Sequence, residues 1–146
     1  MAEHGFAIVG CGVISQTHAK AIAALPDARL VTAVDVVPER AQALTAQHGG
    51  EPETDLDRAL ARPDVDVVSV CVPSGLHAEI GCRAAEAGKH VLVEKPIDIN
   101  LAAADRLIAA AAKAGVKLGV VSQRRFDAGL REVKEIIASG RLGRLL

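Results

Sequence analysis

Two glycines near the start of the chain have the spacing of a turn that binds phosphate. Gly10 and Gly12 follow a short apolar run that begins at Phe6. Glycine at the first position lets the backbone reverse tightly, and at the second it lets bare backbone approach a pyrophosphate. The segment that opens at Val13 and Ile14 would direct unpaired helical N–H groups at that anion. The pattern predicts the first turn of a nucleotide-binding fold; a glycine turn that binds nothing is the alternative.

An acidic residue at the end of the second apolar run strengthens this prediction. Ser15 occupies the third small position of the glycine pattern, where a helix must pack closely on a strand. Asp35 stands twenty residues beyond Ser15. A carboxylate there can accept hydrogen bonds from the ribose of an adenosine. The glycine turn and Asp35 together predict a nucleotide site at the ends of the first two strands.

Alternating apolar runs and helical patterns predict the elements that hold these residues. Strands are expected at 6–9, 29–34, 66–72, 90–94 and 117–122, and helices at 13–25, 38–48, 74–87, 100–114 and 127–139. A short helix through Leu60, capped by Thr54 or Asp55, is a further expectation. Strands that alternate with helices of this length imply right-handed crossovers and a parallel sheet. The predicted fold class is therefore α/β, a doubly wound parallel sheet of the Rossmann type, over residues 1–122.

Composition excludes several classes of partner. The 146 residues are half hydrophobic and hold 17 Lys and Arg against 18 Asp and Glu, so no net field attracts nucleic acid or a membrane surface. No apolar run approaches the roughly 20 residues that cross a bilayer. Phe6 and Phe126 are the sole aromatic residues on which bases could stack. Three cysteines, spaced neither as a metal site nor as a disulfide framework, fit the cytoplasm.

The end of the chain predicts the beginning of a second unit. After the helix at 127–139, Gly140 marks a stop, and 141–146 resembles the start of another strand. A strand that begins and finds no partner leaves an unpaired apolar edge. We expect residues 123–146 to be a crossover helix and the start of a truncated substrate domain, with Leu146 as a truncation point.

Three further motifs stand just after predicted strands: CVPSGLH from Cys71, EKP from Glu94 and QRRF from Gln123. Their order and spacing, with GCGVIS before them and a helix ending in ASGRLGRLL behind, closely resemble the N-terminal half of the Gfo/Idh/MocA family. The resemblance covers essentially the whole chain. It implies an NAD(P)-dependent oxidoreductase that acts on sugars, cyclitols or their derivatives. It also implies a second half, missing from this sequence, that forms the substrate pocket and a homo-oligomer interface.

The CVPSGLH motif is expected to line the cofactor. Pro73 turns the chain away from its strand, and Ser74 can cap a helix whose first turn then faces the cofactor. The resemblance implies that backbone from Val72 to Ser74 lies along the ribose and adenine. His77 either approaches the cofactor or is packed in the first turn of the helix, and the two alternatives stay open. His18 is expected to be structural.

The EKP motif carries the expected catalytic residue. Pro96 biases Lys95 towards an extended backbone, and an ammonium at a partly dry site can stabilise negative charge on a substrate oxygen. The resemblance implies that Lys95 hydrogen-bonds the hydroxyl being oxidised. It also implies that Glu94 and Pro96 shape the nicotinamide pocket, with a cis Lys95–Pro96 bond. A solvated surface lysine is the alternative.

The last motif and Asp35 bear on the nicotinamide and on the choice of cofactor. By resemblance, Gln123 reaches the nicotinamide end, and Arg125 matches an arginine common there; Arg124 and Arg125 are otherwise solvated charge. A carboxylate at Asp35 accepts from a ribose 2′-hydroxyl but repels a 2′-phosphate, which favours NAD. Arg40 is near enough in sequence to contact a phosphate, so NADP stays open.

The expected function is the cofactor-binding half of an enzyme that transfers a hydride between nicotinamide and a hydroxyl or carbonyl carbon. This chain alone should bind the dinucleotide without turnover, because the family's general acid or base belongs to the missing half. The alternative is a stand-alone dinucleotide-binding module, a sensor or regulatory subunit without chemistry.

Overall fold

A six-stranded parallel sheet forms the centre of the computed structural model, which describes residues 4–144. The strands are β1 His4–Val9, β2 Ala28–Val34, β3 Glu51–Glu53, β4 Val67–Val70, β5 His90–Val93 and β6 Leu118–Val120. They are ordered β3-β2-β1-β4-β5-β6, and every neighbouring pair is parallel. This order confirms the doubly wound fold. The order reverses between β1 and β4, so ligands are expected at the carboxyl ends of those strands.

Five α-helices within residues 4–144 connect the strands and a sixth follows β6: α1 Val13–Ala23, α2 Pro38–His48, α3 Leu56–Leu60, α4 His77–Glu86, α5 Leu101–Ala114 and α6 Ala128–Ala138. Local chemistry explains their ends. The side chain of Asp55 accepts the Asp57 N–H before α3, and that of Asn100 accepts the Ala102 N–H before α5. Gly115 ends α5 in the left-handed conformation, with φ of 69°. None of the helices within residues 4–144 is long and apolar enough to cross a bilayer.

The two faces of the sheet have separate apolar cores. On one face α1 and α2 pack on the sheet, and the buried residues are Ile8, Ala19, Ile22, Leu30, Ala33, Leu44 and Cys71. On the other face α3, α4 and α5 cover a larger core that includes Val68, Val70, Val93 and Leu107. Burial on both sides explains why the central strands consist of nearly continuous apolar runs. Helix α6 lies outside both cores and has no buried residue.

Two strand predictions differ from the structure. Strand β3 was not predicted, because three residues with two glutamates and a proline have no strand pattern. The strand expected at 141–146 is wrong over its described part, since 141–144 form a turn and irregular backbone. Gly140 and Gly143 have φ of 72° and 70°, which bends the chain there. Residues 145 and 146 lie outside the described residues.

Candidate functional site

The glycine turn after β1 is locked against the two strands beside it. Gly10 has φ of 91°, and its N–H donates to the Val34 carbonyl at 2.8 Å. A Cβ on Gly10 would lie 2.7 Å from the carbonyl carbon of Cys71 and 2.8 Å from the nitrogen of Val72. Both the dihedral angle and the close approach require glycine. The predicted tight reversal at Gly10 is therefore present, with a packing reason that the sequence did not show.

Open space lies above the second glycine of the turn. Gly12 is the N-cap of α1 with φ of −80°, and a Cβ built on it meets no atom within 4 Å. The first N–H groups of a helix, here those of Val13 and Ile14, have no partner within the helix. Ser15 is fully buried and its hydroxyl donates to the Gly12 carbonyl. The turn therefore leaves room for an anion at the start of α1 while the helix packs tightly behind it.

Asp35 holds the glycine turn from the side of β2. Its Oδ2 accepts the Cys11 N–H at 2.8 Å, and its Oδ1 accepts the Val37 N–H at 2.9 Å. The residue is only 8% exposed. Each carboxylate oxygen has a second lone pair that can accept a further hydrogen bond. Sequence reasoning missed the bond to Cys11, because no local pattern reports a contact between residues 24 positions apart.

A cavity of about 590 Å³, which we call the glycine-turn cavity, opens beside Asp35 at the carboxyl edge of the sheet. The predicted site residues that line it are Gly10, Asp35, Arg40, Val72 and Pro73. Arg83 and Leu76 also line it and were not predicted. Their helical positions on and before α4 give no sequence signal, because they face the cavity only once α4 packs on the sheet. The fold thus brings one end of the predicted site together.

The Cys11 thiol lies within this turn, in surroundings that favour its protonated, unreactive form. Burial raises the pKa of Cys11 to about 12, and the nearby Asp35 carboxylate adds to that rise. A thiol that stays protonated at neutral pH is a poor nucleophile and a poor metal ligand. Within residues 4–144, no group of three or more His, Cys, Asp or Glu side chains could hold a metal ion. The raised pKa of Cys11 therefore argues against a nucleophilic or metal-binding role for this thiol.

Glu94 organises the other end of the site from a buried position. Its Oε1 lies 3.0 Å from His18 Nε2, and its Oε2 accepts the Lys95 N–H at 3.1 Å and the Gln123 side-chain amide at 3.3 Å. The second ring nitrogen of His18 lies 2.6 Å from the Ser69 hydroxyl. His18 is thus packed inside, as expected. The link between α1, β4, β5 and the segment after β6 was not predicted.

These groups form the polar floor of a second cavity, of about 390 Å³, which we call the α1 cavity. Ile14, His18, Glu94 and Gln123 line it, and its other walls are mostly apolar, with Phe6, Ala21, Ile22, Leu25, Leu92 and Val121 among them. Glu94 and Gln123 were both predicted for the nicotinamide end. The structure brings them within hydrogen-bonding distance of each other, which the sequence alone could not show.

Lys95 lies at the carboxyl edge beside this network, and its side chain is exposed. The expectation of a partly dry site around its ammonium is therefore not met within the described residues, because the carboxyl end of β5 is open to solvent at Lys95. The Lys95–Pro96 peptide bond is cis, in agreement with the family resemblance. The Lys95 ammonium is thus free to meet a ligand that approaches this edge.

His77 and Ser74 correct the expectation for the CVPSGLH motif. His77 is 1% exposed, and its ring nitrogens face the Pro96 and Val72 carbonyls, so the packed alternative describes its position. Ser74 begins a 3-10 turn without any side-chain capping bond. Its predicted capping role is wrong, since α4 begins only at His77. There the Ala78 N–H donates to Asp98 Oδ2, so this first-turn amide faces a carboxylate rather than a ligand.

The paired arginines lie apart from both cavities already described. Arg124 and Arg125 line a surface cavity with Phe126, which precedes α6, and with Arg131 and Lys134 of α6. The Arg124 side chain is 82% exposed and its guanidinium lies 4.0 Å from the Asp127 carboxylate. The structure therefore presents the arginines as solvated charge, which is the alternative that the sequence left open.

Comparisons with known proteins agree with this geometry. Residues 4–122 match the model of an oxidoreductase family with an NAD-binding Rossmann fold, Gfo/Idh/MocA. Inositol 2-dehydrogenase of Rhizobium meliloti (strain 1021) is 37% identical over 138 residues, which are 94% of this chain and 42% of that enzyme. The chain thus spans less than half the length of this relative.

Solved structures give the same result. The WlbA dehydrogenase from Bordetella pertussis, in complex with NADH and UDP-GlcNAcA, is 40% identical with a TM-score of 0.91. The match covers 98% of this chain and 42% of that one. KijD10, a 3-ketoreductase from Actinomadura kijaniata in complex with NADP, is 33% identical with a TM-score of 0.91, over 97% of this chain and 46% of that one.

Proposed function

Because the chain belongs to the Gfo/Idh/MocA oxidoreductase family, we propose that it is the dinucleotide-binding half of an enzyme that oxidises or reduces a sugar, a cyclitol or a sugar derivative. The observation that carries the proposal is the glycine turn joined to buried Asp35 at the strand-order reversal between β1 and β4. That is where open α/β sheets bind nucleotides. Relatives named as dehydrogenases and reductases favour this function over a non-catalytic nucleotide-binding module.

The residues at the glycine turn fit the adenosine diphosphate part of a nicotinamide dinucleotide. Open space above Gly12 and the free first-turn amides of α1 suit a pyrophosphate. The remaining lone pairs of Asp35 suit ribose hydroxyls, and Val72 and Pro73 supply an apolar wall for the adenine. The ribose and adenine assignments rest on the residues that line the glycine-turn cavity, and the pyrophosphate assignment rests on the open space above Gly12.

The nicotinamide end would lie near Lys95 and Gln123. When bound, the nicotinamide ring supplies or accepts a hydride. The Lys95 ammonium would hold the substrate oxygen and stabilise negative charge that develops on it. Glu94 would keep the Lys95 backbone and the Gln123 side chain in place through its second carboxylate oxygen. Lys95 is the residue to which we assign a catalytic role, since its charged group is exposed at the edge where substrate arrives.

We propose NAD as the preferred cofactor. The Asp35 carboxylate would repel a 2′-phosphate, by about 1 to 4 kcal/mol for charges near 4 Å apart. Arg40 lines the same cavity and would offset part of that repulsion, which leaves a weaker use of NADP. The two solved relatives differ in their bound cofactor, since WlbA is in complex with NADH and KijD10 with NADP.

The working enzyme would need a second domain for the substrate. Helix α6 exposes Leu130, Val133 and Ile137 by 44–48% each, an apolar face that such a domain and a homo-oligomer would cover. Neither nucleic acid nor a membrane is a proposed partner, given the balanced charge. The cysteines, at 11, 71 and 82, are free thiols, which fits the cytoplasm.

Titration of this chain with NADH, and separately with NADPH, tests the proposal through nicotinamide fluorescence. The chain has no Trp and no Tyr, so the emission is free of protein background. We expect saturable binding with NADH preferred, and no oxidation of inositols or sugars by the 146-residue chain. Lack of binding by a chain shown to be folded by circular dichroism would contradict the proposal, and turnover would contradict the need for a second domain.

A further inference from the structure

The imidazole of His77 lies between two backbone carbonyl groups. Nδ1 is 2.7 Å from the oxygen of Pro96, and Nε2 is 2.9 Å from the oxygen of Val72. The residue is 1% exposed, so water does not compete for either nitrogen. Both contacts have the length of hydrogen bonds. One small ring therefore joins the segment after β4 to the loop after β5.

Both partners of the ring are carbonyl oxygens, which accept hydrogen bonds and donate none. The tautomer of the ring decides which nitrogen carries the proton, and therefore which of the two carbonyls receives the hydrogen bond. In either tautomer the ring fills the space between the two carbonyls and fixes their separation.

A carboxylate of the loop after β5 binds the start of α4. The Ala78 N–H donates to Asp98 Oδ2 at 3.0 Å, and this bond is the first reason that the pKa of Asp98 lies below its ordinary value. The start of α4 therefore holds the loop after β5 at two points, through the His77 ring and through the bond from Ala78 to Asp98.

We propose that His77 is a positioning residue for Lys95, a buried ring that sets the distance between the proposed cofactor-lining segment at Val72 and the loop that carries Lys95. The inference rests on the proposed function, because it assigns Lys95 to the nicotinamide end. The segment at Val72 has other support, since the preceding Cys71 N–H donates to the Val9 carbonyl at 2.7 Å. The loop at Pro96 depends more on the ring, so loss of His77 should move Lys95 more than it moves the glycine-turn cavity.

Nitrogen-15 NMR of the unsubstituted 146-residue chain tests the bridge directly. The ring N–H of His77 should give a signal that exchanges slowly with water, because the residue is 1% exposed and its nitrogens face carbonyl oxygens. Loss of that signal in His77→Gln assigns it. A ring N–H that exchanges as fast as that of an exposed histidine would overturn the proposed bridge.

Two variants test the positioning role. In His77→Gln, one amide group cannot span both carbonyls, so the backbone amide signals of Lys95 and Ile97 should shift. Affinity for NADH should fall about fivefold, the effect of one lost hydrogen bond, whereas affinity for ADP-ribose, which lacks nicotinamide, should stay within about twofold. The matched control is His48→Gln, because His48 bonds to Gln16 on the α1 and α2 side, and it should change neither.

The outcomes separate this inference from the proposed function. If the unsubstituted chain binds neither NADH nor ADP-ribose, the proposed function fails, while the ring and loop signals still decide the bridge. If both ligands bind and His77→Gln leaves the ratio of their affinities and the Lys95 amide signal unchanged, the positioning role is wrong.

Discussion

The glycine turn and the Lys95 loop lie at the same edge of the sheet and are held by different means. Backbone contacts and one adjacent carboxylate hold the turn: Gly10 packs on the strand end at Cys71, its N–H donates to the Val34 carbonyl, and Asp35 accepts the Cys11 N–H. Side chains hold the loop: buried Glu94 bonds to the Lys95 N–H, and the His77 ring contacts the Pro96 carbonyl. The first arrangement is closed by neighbouring strands, whereas the second depends on a few side chains far apart in sequence.

The difference has a functional meaning under the proposed assignment. An adenosine diphosphate group is common to all nicotinamide dinucleotides, and a rigid backbone cradle suits it. The nicotinamide end must accommodate both a substrate and the second domain, and there Lys95 and Gln123 are exposed. Substitutions at the turn should therefore lower both the stability of the fold and the affinity for the dinucleotide. Substitutions around the loop should mainly weaken binding of the nicotinamide end.

The largest effect is expected for Gly10→Ala. The added methyl group would clash with the Cys71 backbone at 2.7 Å, and the alanine would have to adopt a φ of 91°. We expect a loss of about 2 to 4 kcal/mol in the free energy of unfolding, measured with urea, and loss of NADH binding. The matched control is Gly12→Ala, where the Cβ meets nothing within 4 Å. The free energy of unfolding of that variant should stay within about 1 kcal/mol of the parent value, but its affinity for NADH should be lost. Equal stability of the two variants would refute the packing argument.

A smaller effect is expected for Asp35→Asn. The amide can replace only one of the two carboxylate acceptors used by Cys11 and Val37. We expect about 1 to 2 kcal/mol of destabilisation, weaker binding of NADH and a narrower preference for NADH over NADPH, all from titrations. Glu39→Gln, an exposed change on α2, is the control and should alter none of these. An unchanged ratio of NADH to NADPH affinity would remove Asp35 from cofactor selection.

Glu94→Gln tests the loop side of the comparison. It weakens the buried contact with His18 and should lower the free energy of unfolding by about 2 kcal/mol in urea. NADH affinity should fall while ADP-ribose affinity is retained, since the glycine-turn cavity does not include Glu94. Glu51→Gln is the control, because that side chain is 70% exposed in its pair with Arg62 and should matter little. Equal losses of affinity for NADH and ADP-ribose would mean that the glycine turn and the Lys95 loop do not bind separate parts of the dinucleotide.

The smallest expected effect of cofactor binding is the protection of the Cys11 thiol from alkylation. Its pKa rises from 9.0 to about 12 in the fold, so the stability that the neutral thiol contributes is complete below pH 9 and is lost as the pH rises towards 12. At pH 8 iodoacetamide should alkylate Cys11 more slowly than in the unfolded chain, by on the order of 100-fold or more. NADH should slow the reaction further at Cys11 but not at Cys82, as measured by mass spectrometry of peptides. Equal protection of both thiols would argue against binding at the turn.

The same contrast explains what the sequence could predict. Gly10 was identifiable because a left-handed turn demands glycine. Asp35 was identifiable because an acidic residue about twenty positions after the glycine pattern is typical of a nucleotide site, and its contact with a ribose stays a prediction. The alternating pattern also predicted the fold, except β3, whose two glutamates and proline have no strand pattern. The bonds of Glu94 to His18 and to Gln123 join positions 76 and 29 residues apart, and no local pattern encodes such pairs. Ser74 was misjudged because a 3-10 turn precedes α4, and Asp98 takes the place of a cap.

The central claim, that one dinucleotide spans from the glycine turn to the Lys95 loop, is tested most directly by backbone amide NMR of the 146-residue chain with two ligands. NADH should shift the amide signals of Gly10, Gly12 and Asp35 together with those of Lys95 and Gln123. ADP-ribose should shift only the first group. If NADH leaves the Lys95 and Gln123 signals unchanged, or if its shifts fall elsewhere on the molecule, the account of the site is contradicted.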